Sequence, residues 1–466
     1  MNLKAFFKKI NSWENYVKAQ DKLNSKEKGD TFELLTKIYF SISPQYNFYD
    51  NVWLLEEVPE KILEEIGLPR QDLGVDLIAK YEDEYHAIQC KYHSDKYRSV
   101  TYKEVSTFLS AIAQCDQITC GYICSTANIT TKNYEKVPKK PIYKVLADTW
   151  ENLTTDFFKN LNLELKRKPL KFTIYKPKQH QKKAINEGIE YFKNNSRGKL
   201  IFPCGSGKSL TGFWITREFK SMNILIAVPS LALIKQTLDV YLGQIVARKE
   251  KVKWLCICSD DGIGKSDDVA LLTEDVGVPC VTDSDYISSW LKRNKDDQKI
   301  IFTTYQSGKL IAEISKKQKL FFDLGIFDEA HKTVGSEKSL FSHLLFEKNI
   351  NVKKRVFMTA TERFYLGSKD DIVSMDNPDI YGEVFSKMTF KEAIKKDLLT
   401  DYKIITLDIK KSEVLDFIKK NGLIQLSSKW KNEPDARSLA SMIALRKAME
   451  NYPINNAVSF HSSIEK

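Results

Sequence analysis

Leu200-Ile201-Phe202-Pro203-Cys204-Gly205-Ser206-Gly207-Lys208-Ser209 starts apolar, narrows to two glycines and ends on a lysine and a hydroxyl. The apolar start reads as a buried strand, and Gly205 and Gly207 let the backbone curl at the N-terminus of the helix that follows. Such a loop points its amides at phosphate oxygens, with Lys208 reaching the terminal phosphates and Ser209 placed to ligate magnesium. Gly205, Ser206, Gly207, Lys208 and Ser209 are therefore the expected nucleotide contacts. A second stretch, Leu324-Gly325-Ile326-Phe327-Asp328-Glu329-Ala330-His331, supplies the missing carboxylates at the end of another apolar strand. There Asp328 is expected to hold the magnesium and Glu329 to orient and deprotonate an attacking water, with His331 beside the nucleotide. The pair of motifs predicts an ATP-driven motor.

Around this pair the pattern repeats strand, loop and helix. Lys199–Phe202, Ile224–Val228, Ile300–Thr303, Leu324–Phe327 and Arg355–Met358 read as short apolar strands between helices, the signature of a parallel sheet covered on both faces. Residues 250–298 read as a long charged insertion that interrupts the sheet. A second α/β unit is expected to begin at Asp401-Tyr402-Lys403-Ile404-Ile405 and to reach one further strand, Ala457-Val458-Ser459-Phe460.

The order of motifs resembles superfamily 2 helicases and translocases of the DEAH-like, restriction-enzyme branch. Lys178-Gln179-His180-Gln181 is similar to that family's adenine-reading segment, with Gln181 on its glutamine. Ala227-Val228-Pro229-Ser230-Leu231 and Thr303-Thr304-Tyr305-Gln306 are similar to its two strand-end segments that touch a nucleic-acid backbone. Thr359-Ala360-Thr361 matches the segment that couples the ATP site to DNA, and Phe460-His461-Ser462 looks like the first motif of the second RecA-like lobe. The resemblance implies that Pro229, Ser230, Thr304, Thr359 and Thr361 serve DNA contact or coupling. In that family the second lobe's later motifs carry arginines that stabilise the transferring phosphoryl group, and these would lie past Lys466. An arginine finger is worth about 10³–10⁵ in rate, so the expectation is that this stretch binds ATP but hydrolyses it poorly.

Upstream, Val75–Tyr81 and Tyr85–Tyr92 read as a hairpin around Glu82-Asp83-Glu84, Tyr102–Gln114 as a helix and Ile118–Ser125 as a buried strand. Gln89 and Lys91 are two apart on a strand and share a face. With an even loop centred between Glu82 and Asp83, Asp76 stands opposite Gln89 on that face; an odd loop would turn it away. Two side-chain oxygens, from Asp76 and Gln89, suit a hard cation such as Mg²⁺, and Lys91 can orient a water or stabilise phosphate charge. Asp72 and Asp83 stay open as alternative ligands, and His86 and His93, flanking the strand, read as packing or solvated residues. This segment resembles the Mrr-like branch of PD-(D/E)XK nucleases, whose strand pair reads Asp, then Gln-x-Lys, as Asp76 and Gln89-Cys90-Lys91 do. That resemblance implies a further catalytic glutamate, Glu33, in Gly29-Asp30-Thr31-Phe32-Glu33, and a later strand at Gly121-Tyr122-Ile123-Cys124-Ser125-Thr126.

At 466 residues the chain exceeds one core, and its 42% hydrophobic and 29% charged content is that of a globular protein. Its net charge of +11 would attract a polyanion. The eight cysteines contain no Cys-x-x-Cys pair and no zinc-finger spacing with histidine; Cys120 and Cys124 read as small core residues. No apolar run has the length of a signal peptide or membrane helix, so a cytoplasmic protein with no membrane partner is expected. Lys166 to Lys183 carries eight Lys or Arg and no acidic residue, a linker or a phosphate-backbone contact.

The expected fold is α/β throughout: a restriction-endonuclease-like mixed sheet domain, a RecA-like parallel-sheet motor domain and the start of a second RecA-like lobe. The expected boundaries are a helical extension over 1–24, the nuclease domain over 25–158, a basic linker over 159–174, the first lobe over 175–400 and the beginning of the second over 401–466. The arrangement resembles the N-terminal part of type ISP restriction-modification enzymes. It implies ATP and Mg²⁺ as cofactors, double-stranded DNA as partner, and methyltransferase and target-recognition domains further along the same polypeptide. The competing reading keeps the motor and makes the first domain a catalytically silent DNA-binding module of a repair or remodelling helicase.

Overall fold

The computed structural model describes residues 2–70, 74–130, 140–259, 272–365, 371–410, 412–413, 433–454 and 456. The expected strand Ala457–Phe460 and the residues His461, Ser462 and Asp72 lie outside them. The chain divides into two compact units, residues 1–398 and 399–466.

The first unit contains two sheets. The N-terminal one has strands β1 (Asn51–Leu54), β2 (Leu77–Tyr81), β3 (Glu84–Lys91), β4 (Ile118–Ser125) and β5 (Ile142–Val145) in sequential order. It is mixed: β1, β2 and β3 pair antiparallel, while β3–β4 and β4–β5 are parallel. Helix α1 (Ser25–Ile42) starts on a capping box between Asn24 and Glu27. Helix α2 (Tyr102–Gln114) covers the other face, putting Val105, Phe108 and Ile112 into one core with Ile78, Ala87 and Ile123. The residues before α1 are a structured cap with helices at Leu3–Phe7 and Trp13–Gln20. Their aromatics explain why: Phe7 stacks on Tyr16, and Trp13 stacks on Trp150, whose indole N–H donates to the Ser125 carbonyl.

The second sheet has seven parallel strands: β6 (Arg197–Ile201), β7 (Asn223–Val228), β8 (Lys253–Ile257), β9 (Lys299–Thr304), β10 (Phe322–Phe327), β11 (Val352–Thr359) and β12 (Glu383–Lys387). Their order is β8-β9-β7-β10-β11-β6-β12. Each central strand is a short apolar run, as a sheet buried on both faces requires.

Three expectations need correction. Residues 250–298 do not interrupt the sheet: they supply β8, paired in parallel with β9, and an amphipathic helix at Ser284–Arg293 that buries Ile287, Trp290 and Leu291. A five-residue edge strand that starts on a lysine looks like loop in a charged stretch because only its last three residues, Leu255, Cys256 and Ile257, are buried. The linker does not begin at 159. Helix α3 (Thr155–Leu165) runs through that point with Phe158 and Leu161 buried, and the Asn160 amide closes on the backbone of Lys171. Finally, Asp401–Ile405 forms no strand, and Ile404 is 83% exposed. An apolar alternation becomes a strand only when a neighbour takes its backbone groups. In the second unit the longest described element is the helix Glu433–Asn451.

The two sheets of the first unit share a seam. Glu82, in the hairpin turn, meets Lys253 at 3.3 Å and Arg293 at 3.1 Å. Lys144 pairs with Glu274 and, at 3.8 Å, with Asp275, while the Tyr46 hydroxyl donates to the Gly277 carbonyl.

Candidate functional sites at the hairpin and the phosphate loop

The two-residue turn Glu82–Asp83 makes the hairpin even. Leu77 faces Ile88, so one step further Asp76 stands opposite Gln89, and the Asp76 amide donates to the Ile88 carbonyl at 3.0 Å. Gln89 is fully buried, and neither its Oε1 nor its Nε2 has a hydrogen-bond partner among the described residues. It lies beneath Gly74, whose φ is +79°; a Cβ there would come within 2.8 Å of Gln89 Nε2. Lys91, half-buried, follows on the same face. One Asp76 carboxylate oxygen takes the Cys90 amide at 2.6 Å, fixing the acid at the strand edge. Glu33 approaches from α1: burial pushes the Cys90 thiol well up, and the charges of Asp76 and Glu33 add to the rise.

The sequence-predicted set therefore meets at one end of the hairpin. Asp83 does not belong to it, because the turn lies seven residues from Lys91 along β3, on the order of 20 Å by strand rise. His86 and His93 are buried packing residues: His86 Nδ1 meets the Tyr49 hydroxyl at 2.6 Å, and the His93 amide donates to Thr126. Among the described residues no three His, Cys, Asp or Glu side chains are grouped to hold an ion. A metal here would rely on the neutral Gln89 carbonyl oxygen beside Asp76, and the unpartnered buried amide is a donor set that fits it.

The phosphate loop runs from β6 into helix α4 (Lys208–Glu218), with φ of +79° at Gly205 and +86° at Gly207. A Cβ on Gly207 would come within 2.6 Å of Gln181 Nε2, so only glycine leaves this cradle open. Lys208 is 7% exposed and reaches Glu329 Oε1 at 3.6 Å. Asp328 is buried at the end of β10, and its carboxyl is pushed up to about 6 by burial and by Glu329, against Lys208. Burial also acts on Glu329, but the His331 ring and Lys208 outweigh it and hold that carboxyl low. Glu329 sits at φ +48°, a left-handed conformation costing a non-glycine residue about 1 kcal/mol. His331 Nδ1 lies 3.3 Å from Glu329 and 3.0 Å from Thr359 Oγ1, which donates to the Thr361 carbonyl. This chain of contacts links the ATP-side acid to Thr361 at the surface.

Other predicted residues take different roles. Ser209 stands half-buried in the first turn of α4, but the Ser206 hydroxyl is spent on the Pro203 carbonyl at 2.7 Å. Both ends of the Gln181 amide are engaged: Oε1 accepts from the Lys178 amide at 2.8 Å and Nε2 donates to the Gly207 carbonyl at 3.1 Å. It ties its helix to the loop, with one N–H and one oxygen lone pair left over. Pro229, Thr304 and Thr359 are buried, with Thr304 Oγ1 turned to Ser307 at 3.0 Å; only Ser230 and Thr361 leave surface for a DNA backbone. His180, Tyr305 and Lys199 were not singled out. His180 Nε2 meets the Ser206 carbonyl at 3.0 Å, Tyr305 donates to the Asp328 carbonyl at 2.7 Å, and Lys199 meets Glu362 at 2.8 Å. The available signal was a lysine in the middle of a buried strand and aromatic or histidine neighbours inside quoted motifs.

Residues 42–164 match a restriction endonuclease family, and residues 174–364 match the res subunit of type III restriction enzymes. Over 236 residues, 50% of this chain, the sequence is 27% identical to a probable helicase of African swine fever virus and covers 24% of it. The probable helicase of another strain of that virus is 26% identical over 235 residues, again 24% of its length. Among solved structures, the ATP-dependent type ISP restriction-modification enzyme LlaBIII, bound to DNA, superposes with a TM-score of 0.72 at 26% identity over 88% of this chain and 27% of that one. The chain thus spans about a quarter of the length of these relatives. No helix among the described residues is long and apolar enough to cross a membrane. By its two family matches, the chain joins a restriction-endonuclease domain to a restriction-enzyme helicase domain.

Proposed function

We propose that this chain is the cutting and moving part of a restriction-type enzyme: a metal-dependent endonuclease coupled to an ATP-dependent translocase on double-stranded DNA. The observation that carries it is the hairpin end, where Asp76 faces Gln89 and the fully buried Gln89 amide has no hydrogen-bond partner among the described residues. A buried amide left unpaired costs about 1–3 kcal/mol, a cost that an ion ligated by Oε1 would reduce. Asp76 and Gln89 would hold that ion, most simply Mg²⁺, which when bound supplies Lewis-acid polarisation of the scissile phosphate. Lys91 extends from the same face as a point charge for the phosphate oxygens or the attacking water, and Glu33 borders the site from α1. In the motor, Gly205, Gly207 and Lys208 would cradle the phosphates, and Ser209 and Asp328 would hold the nucleotide's Mg²⁺. Glu329, kept ionised by His331 and Lys208, would orient water, and Thr359 carries its state toward Thr361. DNA as substrate is supported by the DNA-bound type ISP enzyme.

The test is cleavage of plasmid DNA with Mg²⁺ and ATP by the wild type and Lys91→Ala. Cleavage should fall by roughly 10²–10³-fold in the variant, the size of losing one charge-stabilising group, while fluorescent-nucleotide binding stays intact. Absence of metal-dependent cutting by the wild type under every nucleotide condition would instead favour a silent DNA-binding domain.

A further inference from the structure

The seam between the two domains holds a half-open cavity of about 500 Å³. Phe48, Tyr81 and Tyr143 line it from the nuclease side, and Trp254, Tyr286 and Trp290 from the motor. Among the described residues its charged side chains are Glu84 and Asp283, and none of the lining is lysine or arginine, in a chain whose net charge is +11. Two cations of the seam, Lys253 and Arg293, pair with Glu82. Glu84 receives the Thr119 hydroxyl at 3.1 Å, with His86 Nε2 4.0 Å away. Burial works against its ionisation, but the His86 ring, Thr119 and, more weakly, the Arg293 charge outweigh it and hold the carboxyl below its usual range. The wall thus carries a carboxylate among aromatic rings, the combination that recognises an organic cation through charge and cation–π attraction. The volume is that of small-ligand sites, about 300–1,000 Å³.

We propose that this cavity binds a small organic cation, an ammonium carried on an aromatic or alkyl body, which seats its apolar part between the two domains and its charge at Glu84. Such a ligand touches both domains and stabilises their seam by mass action. The site is independent of the phosphate loop and of the Asp76–Gln89 pair.

The full chain is titrated with phenethylammonium chloride and with its neutral counterpart 2-phenylethanol. Trp254 and Trp290 fluorescence gives the readout, and calorimetry checks it. Saturable binding of the cation is expected, at least tenfold tighter than that of the alcohol and at least tenfold weaker in Glu84→Gln. Thr119→Trp, an exposed position on the lining, should abolish it by filling the site. If Glu84→Gln does not fold, Asp283→Asn, which keeps the helix cap, should weaken the cation severalfold. Equal affinity for the alcohol, unchanged affinity in Glu84→Gln or in its substitute Asp283→Asn, or no saturable binding up to about 10 mM overturns the proposal.

Discussion

The phosphate loop and the nuclease hairpin each place a lysine beside acids, yet they satisfy their polar groups differently. In the motor, Lys208 rests on Glu329, His331 bridges Glu329 and Thr359, and Gln181 is engaged at both ends. That site is closed upon itself, and a nucleotide must displace existing contacts to enter. In the hairpin, Gln89 is sealed under Gly74 with its amide unanswered. The nuclease site carries an unmet polar demand where the motor site carries a provisional answer. A ligand gains at the first by filling a deficit, and at the second by out-competing a partner.

The contrast can be broken by substitution, beginning with the largest effect. Lys208→Ala should weaken binding of a fluorescent ATP analogue by about 100-fold, the loss of one charge-assisted contact of roughly 3 kcal/mol, and leave metal-dependent DNA nicking at the hairpin untouched. Loss of nicking as well would mean that the two sites are not separable.

Asp328→Asn is the next largest. The folded carboxyl titrates at about 6, above its ordinary value, so between those pH values the folded state holds more protons than the unfolded state. Its stability contribution is then lost as pH rises through this window, and above it the buried charge costs on the order of 2–3 kcal/mol. In nucleotide-free and metal-free buffer the variant should unfold at higher denaturant than wild type at pH 8, with the gap closing by pH 4. A variant less stable at pH 8 would contradict the burial argument.

Gln89→Leu should stabilise the metal-free protein by about 1–2 kcal/mol, since an apolar side chain of similar size replaces an unpaired buried amide. Metal-dependent stabilisation, followed as a Tm shift with added Mg²⁺, should vanish in the same variant. A destabilised Gln89→Leu would show that the amide is satisfied after all. Glu82→Ala, which removes two partly exposed ion pairs at the seam, should cost less than about 1 kcal/mol in chemical denaturation.

Much of this was legible in the residues. Five apolar runs of the motor all became strands of one parallel sheet, because strands buried on both faces declare themselves by composition alone. The hairpin register followed from counting across Glu82 and Asp83, since a period of two leaves only two faces to choose between. The edge strand Lys253–Ile257 was hidden by its charged flanks, and the opposite error came at Asp401–Ile405, where apolar residues have no pairing strand among the described residues. Thr304 and Pro229 were assigned surface roles from motif order, but motif order carries no information about burial.

Sequence alone determined which atoms are available for chemistry: a glycine loop ending in Lys208 and Ser209, an Asp328–Glu329 pair, and Asp76, Gln89 and Lys91 at fixed spacing. Those are local facts, set by residue identity and by the period of strand or helix. The tertiary structure decided which of those atoms are spent. That Gln181 and Ser206 are engaged, that Gln89 is not, and that a carboxylate-bearing aromatic cavity lies between the domains depend on residues far apart in the chain. Hydrogen-bond satisfaction and burial are set by packing across the chain, which no reading of local spacing contains.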